Sequence, residues 1–175
     1  MISLKIRKAS KEDVKAVARV YVDGWKTTYR GLVPEDYLNG LSYEESEQKW
    51  LYFLNTENDP FIYIAISDGG NVVGFAAGKS IDDELYDGEL YALYLLKECR
   101  GLGVGRQLFS AVAKHFKENC INSVLVWVME QNKSGLGFYE RMGGKEYLRR
   151  KSEFGGVAVD DVAYGWKDVS VLFNG

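Results

Sequence analysis

Hydrophobic and polar residues alternate over residues 2–8 and predict a first strand. Ser10 then has the form of a helix N-cap, with Asp13 three residues on, and Val14, Val17, Ala18 and Tyr21 follow at helical spacing. Residues 24–42, around Trp25, Tyr29, Leu32 and Pro34, predict loop with one short helix. A second helix is expected over about 43–54, ending before Asn58-Asp59-Pro60. Strands at 61–67 and 72–79 flank Asp68-Gly69-Gly70-Asn71, a hairpin signal. From Glu89 to Leu96 the chain is apolar on both faces, which predicts a central strand covered on both sides. A Gly-rich turn, Arg100-Gly101-Leu102-Gly103-Val104-Gly105, leads into a helix over 104–118. A buried strand at 123–129, a helix at 134–142 and two strands, 145–153 and 157–167, complete the pattern. The expected fold is an α/β or α+β sheet with helices on its faces.

Composition narrows the function classes. The 175 residues contain two prolines and no Ser/Gly/Pro-rich linker, so one domain spanning 1–175 is expected. The formal charge is −3, which leaves no basic excess for phosphate neutralisation and argues against a nucleic-acid partner. Two cysteines are too few for a disulfide scaffold, and one His with two Cys does not make an ordinary zinc site, so no metal is expected. The charged N-terminus lacks an apolar signal core and no stretch is long enough for a membrane span; a cytoplasmic protein is expected.

The Gly-rich turn carries the chemistry. Lying between a buried strand and a helix, it would aim free amides from a positive helix end, where anions bind. Arg100 and Arg106 flank it and can add charge-assisted contacts. A turn serving only chain reversal would have a similar composition. The string is not a P-loop, which needs Gly-x-x-x-x-Gly-Lys-Ser/Thr, and the third glycine of a dinucleotide fingerprint falls on Leu108 or Arg106.

What remains, Arg100-x-x-Gly103-x-Gly105, resembles the Gln/Arg-x-x-Gly-x-Gly/Ala loop of the GNAT family of N-acetyltransferases. A second block, Asn132-Lys133-Ser134-Gly135-Leu136-Gly137-Phe138-Tyr139-Glu140-Arg141-Met142-Gly143, resembles that family's Asn-x-x-Ala-x-x-Phe-Tyr-Glu-Lys-x-Gly segment. Ile6-Arg7-Lys8-Ala9 and Trp25-x-x-x-Tyr29-x-Gly31-Leu32 look like the N-terminal half of many members, so the resemblance covers nearly the whole chain. Gly144 departs from it, standing where the family has Phe, and puts the local packing in question.

The resemblance implies a central, mixed, mostly antiparallel sheet with helices on both faces. It also implies transfer of an acetyl group from acetyl-CoA to a primary amine in a ternary complex. By similarity Arg100, Gly101, Leu102, Gly103, Val104, Gly105 and Arg106 would hold the pyrophosphate. The backbone of Leu93, Tyr94 and Leu95 would pair with the pantetheine arm as an added strand, an amide there polarising the thioester carbonyl. Asn132 would lie beside the pantetheine, and Trp25, Thr28 and Tyr29 in a loop over the acceptor pocket. A homodimer is implied only by analogy with relatives.

The reaction needs a base for the acceptor ammonium, whose ordinary pKa is about 10.4, and an acid for the departing thiolate. Tyr139 is the candidate acid and Glu89, at the start of the central strand, the candidate base. The acidic stretch from Asp82 to Glu89 suggests a small cationic acceptor such as a polyamine, although a solvated acidic loop reads the same way. A protein lysine or N-terminal amine is the alternative acceptor, and a non-catalytic acyl-CoA-binding module the alternative class. His115 is expected as a partly exposed helix residue, Cys99 as no nucleophile, Cys120 as a small buried hydrophobe, and Trp50, Trp127 and Trp166 as core.

Overall fold

The computed structural model describes residues 4–173. Strands are β1 (Leu4–Lys8), β2 (Phe61–Ser67), β3 (Val72–Ser80), β4 (Gly88–Leu95), β5 (Val124–Met129), β6 (Lys145–Phe154) and β7 (Val157–Trp166). Helices are α1 (Val14–Thr28), α2 (Glu35–Asn39), α3 (Tyr43–Leu54), α4 (Val104–Glu118) and α5 (Lys133–Arg141). The start of the expected first strand, residues 2 and 3, lies outside the described residues.

The strands form one sheet in the order β1-β2-β3-β4-β5-β7-β6. Every neighbouring pair is antiparallel except β4 and β5, so the mixed, mostly antiparallel sheet is as expected. One apolar cluster gathers Val104, Leu108, Phe109, Val112 and Phe116 of α4 on one face. The other gathers Val14, Val17, Trp25 and Trp50 of α1 and α3 on the opposite face.

Local signals account for most boundaries. Ser10 N–H donates to Asp13 Oδ2 at 2.8 Å, closing a short turn ahead of α1. The hairpin at residues 68–71 is formed, with Gly70 at φ +84°, a conformation glycine adopts without strain.

Three expectations are corrected. Helix α1 runs on through Thr28 where a loop was expected from residue 24. Gly24 reads as a helix breaker, yet a Cβ there would meet Tyr94 Cδ1 at 3.0 Å, so its role is to let α1 approach β4 closely. Cys120 is exposed, at φ +64° just past the end of α4. Trp127 is only half-buried, because β5 borders a cleft at that point.

Gly144 lies against the ring of Trp166, whose Cζ2 would stand 2.6 Å from an added Cβ. The indole therefore fills the space beside this turn, and its Nε1 donates to the Met142 carbonyl at 3.0 Å. The two glycines of α5 differ. A Cβ on Gly135 would strike the Asn132 side chain at 2.7 Å, whereas one on Gly137 would meet only the movable tip of Arg141 at 3.0 Å. Gly137→Ala is therefore expected to stabilise the fold by up to about 1 kcal/mol, the helix-propensity difference, read as a raised urea midpoint. An equal or lower midpoint would mean that Arg141 cannot give way.

Candidate active site

The β4–β5 ladder lasts for three residue pairs, Gly88↔Val124, Glu89↔Leu125 and Leu90↔Val126. Beyond them the strands part. The opening is a cleft of about 620 Å³ whose walls include Tyr91 to Leu95 on β4 and Val126 to Val128 on β5. This corrects the sequence reading of β4: it is apolar on both faces because its second half borders a cleft, with Tyr91 exposed and Leu93, Tyr94 and Leu95 half-buried. A register shift in the β3 pairing leaves Tyr91 between Leu90, opposite Gly78, and Ala92, opposite Ala77. Such a bulge re-aims side chains. Leu90 packs on the α4 face, while Ala92 and Tyr94 pack on the α1 face.

One end of the cleft is formed by the Gly-rich turn. Gly101 and Gly103 sit at φ +75° and φ +82°, which explains these two glycines. Gly105 lies in α4 with Phe138 Cε1 3.4 Å from an added Cβ. Helix α4 begins without a side-chain cap, so the amides of Val104, Gly105 and Arg106 lack intrahelical acceptors. Arg100, Gly101, Gly103, Gly105 and Arg106 line the cleft. Leu102 instead exposes its side chain and Val104 buries its own in the core, so either can contribute only backbone there. The Arg100 guanidinium donates to Thr27 Oγ1 at 2.8 Å and Thr28 Oγ1 at 2.9 Å, tying the turn to the end of α1. Uncapped amides, two arginines and an unpaired strand edge fit the phosphates and extended arm of a CoA thioester.

Tyr139 lines the cleft midway, 7% exposed, its ring edge-on to Phe138 at 5.0 Å. Burial pushes its phenol well above the ordinary range, with the nearby Tyr29 adding to the effect. It therefore stays protonated at neutral pH. Asn132 lines the cleft too and caps α5, its Oδ1 accepting from Gly135 N–H at 3.1 Å. Thr28 and Tyr29 border the cleft from the end of α1, not from a loop. Trp25 does not line it: the ring is 6% exposed and packs 4.3 Å from that of Tyr29. Cys99 is buried beneath the turn, where burial raises its thiol pKa. His115 is half-buried, its ring stacked on Phe61 at 3.6 Å.

On the α1 face, two residues before Tyr91 and outside the residues that line the cleft, Glu89 is half-buried, cross-strand from Lys79. Burial raises its carboxyl pKa, opposed by the positive charges of Lys79 and Arg150. Lys79 Nζ lies 4.8 Å over the Tyr91 ring, and the Arg150 guanidinium 4.1 Å over Trp127. Sequence reasoning missed Arg141, which lines the cleft, Lys79 and Arg150, which stand over its Tyr91 and Trp127, and Lys49, which lies off it. The Lys49 ammonium donates to the Tyr21 hydroxyl at 2.6 Å, and burial pulls its pKa down to about 8. Nothing in the local sequence marks these residues, since each comes from a separate element. Of the acidic stretch, Asp83 is engaged with Leu85 N–H and the Tyr147 hydroxyl, while Asp82 and Glu84 lie off the cleft wall. No helix among the described residues is long and apolar enough to cross a membrane.

The chain is 40% identical over 169 residues to YuaI, an uncharacterized N-acetyltransferase of Bacillus subtilis, covering 95% of each. It is 29% identical to a spermidine N(1)-acetyltransferase of Thermoplasma acidophilum, covering 82% of this chain and 89% of that protein. The crystal structure of the PaiA N-acetyltransferase of Thermoplasma acidophilum, in complex with coenzyme A, superposes with a TM-score of 0.73 at 26% identity, covering 93% of this chain and 98% of that one. The profile of the Acetyltransferase (GNAT) family matches residues 25–144. The chain belongs to the GNAT family and is an acetyl-CoA-dependent N-acetyltransferase.

Proposed function

We propose that the protein transfers acetyl from acetyl-CoA to a primary amine by direct attack in a ternary complex. The observation that carries this reading is the continuity of one cleft from the uncapped amides of α4, past Tyr139, to Tyr91 and Trp127 beside Glu89. Acetyl-CoA supplies the acyl group. The turn from Arg100 to Arg106 holds its phosphates, and the free edge of Leu93 to Leu95 aligns the arm. Glu89 takes a proton from the acceptor ammonium, directly or through water. The amine nitrogen then bonds to the carbonyl carbon, the C–S bond breaks, and Tyr139 protonates the departing thiolate. The second proton, shed by the nitrogen as the amide forms, restores the Tyr139 phenol through water.

A thermal-shift titration tests the cofactor half. At 100 times its Kd a ligand of the folded state adds about 2.7 kcal/mol, a shift of several degrees at this size. Acetyl-CoA and CoA are expected to produce it and ATP and NAD to leave Tm unchanged; a flat response to CoA refutes the site. The base is tested by pH. Glu89 works only when ionised and its pKa is raised, so kcat/KM should fall with decreasing pH through a midpoint above the ordinary carboxylate value. Glu89→Gln should remove that limb together with most of the rate; an unchanged limb assigns the base elsewhere.

The acceptor has two readings. Similarity to a spermidine N(1)-acetyltransferase supports a polyamine, in line with the acidic stretch. The side-chain charges around Tyr91 and Trp127 favour a different class, and we follow them.

A further inference from the structure

We propose that the acceptor amine carries its own anionic group, as an α-amino acid does, and that Arg150 and Lys79 select it. The inference rests on the acetyltransferase reading above and concerns the acceptor end of the same cleft. On the α1 face, neighbouring strands place a row of side chains: Lys79 on β3, Glu89 and Tyr91 on β4, Trp127 on β5, Asp161 on β7 and Arg150 on β6. Tyr91 and Trp127 frame the mouth of the cleft, and each ring carries a cation over it, Lys79 at 4.8 Å and Arg150 at 4.1 Å.

Among the described residues both cations keep hydrogen-bond donors free. Lys79 forms no salt bridge among the described residues. Arg150 gives only its Nε to Asp161, at 3.2 Å, which leaves both terminal nitrogens on a half-exposed side chain. Asp161 itself is 6% exposed and also accepts from Ser152, and its charge acts on Tyr29 of the cleft wall. Behind the Tyr91 and Trp127 walls of the cleft, Glu89 thus feels two cations that keep donors unspent. A polyamine would bring two or more positive charges against both. A zwitterion fits the alternation, its ammonium at Glu89 and its anion on the planar Arg150 fork. The Trp127 ring holds that fork in place from beneath.

A competing role for the two cations is only to keep the half-buried Glu89 ionised. The two roles separate experimentally. Steady-state rates would be measured for matched pairs, an L-α-amino acid against its carboxamide across several side chains, with spermidine as the reference lacking an anion. The expected result is kcat/KM at least about tenfold higher for the acid of the best pair than for its amide, with spermidine below both. In Arg150→Gln and, independently, Lys79→Gln, that preference should shrink severalfold through KM for the amine. Unfolding midpoints check that each variant is folded, and Lys79→Gln removes no ion pair.

Equal rates for acid and amide, or spermidine as the better substrate, overturn the inference and leave the acetyltransferase reading intact. A lowered rate in both variants with an unchanged acid-to-amide ratio and a displaced acid limb assigns the cations to Glu89 alone and also overturns it. Retained acetyl-CoA binding with no turnover of any anionic amine does the same. Loss of acetyl-CoA binding in the wild-type protein would refute the underlying reading instead.

Discussion

Tyr139→Phe is expected to lower kcat by about 10²-fold while KM for acetyl-CoA stays near its wild-type value. The substitution keeps the ring, and with it the edge-on contacts to Phe109, Phe138 and Trp166, so the fold and the cleft wall should persist. What is lost is one proton donor. Burial holds this phenol in its protonated form well past neutral pH, so the proton is in place at each cycle. The same shift makes it a weaker acid, which yields the proton only to a basic group such as the thiolate. The effect should appear in kcat because the proton moves only as the C–S bond breaks. An unchanged kcat would remove Tyr139 from the chemistry and leave it a packed aromatic on α5.

Gly103→Val is expected to abolish useful CoA binding, with Kd raised by about 100-fold or more. Gly103 is the residue before α4 and sits at φ +82°, where a β-branched residue is strained. An added Cβ meets nothing within 4 Å, so the obstacle is the backbone angle and not a clash. Left-handed backbone at a non-glycine residue costs about 1–2 kcal/mol, which a fold of this size can absorb. The turn, however, relieves that strain by rotating, and the amides of Val104, Gly105 and Arg106 then no longer converge. Each hydrogen bond to a charged phosphate is worth about 1.5–3 kcal/mol, so losing two of them accounts for the expected fall. Calorimetric titration with CoA reads it, and a cooperative unfolding transition shows that the chain still folds. Retained affinity would show that the turn only reverses the chain.

Both predictions rest on residues that the sequence could identify. The Gly-rich turn is legible because a strand pattern, glycines needing positive φ and a helix pattern follow one another within a few residues. Asn132 and Tyr139 are legible only through resemblance: the block from Asn132 to Gly143 matches the family's second segment. Hairpins at residues 68–71 and 155–156 likewise announce themselves through turn chemistry.

Gly24 marks where local reading ended. Helix propensity alone makes it a stop, and only the approach of Tyr94 from a strand some seventy residues later makes it an interior helix position. Trp127 was expected in the core for the same reason, since nothing local says that β4 and β5 separate after three pairs.

The sequence by itself determined the order of elements, the mixed sheet through its resemblance, the phosphate-type turn and the proposed acid. The element order and the turn depend on periodicity and glycine conformations, which act over a few residues; the sheet and the proposed acid come from the resemblance. Only the tertiary structure decided that the strands part, that Trp25 faces the core, and that Lys79 and Arg150 stand over Tyr91 and Trp127 on either side of Glu89. Those facts are set by strand register and sheet order, which bring residues from β3 and β6 to one place although many residues of chain separate them.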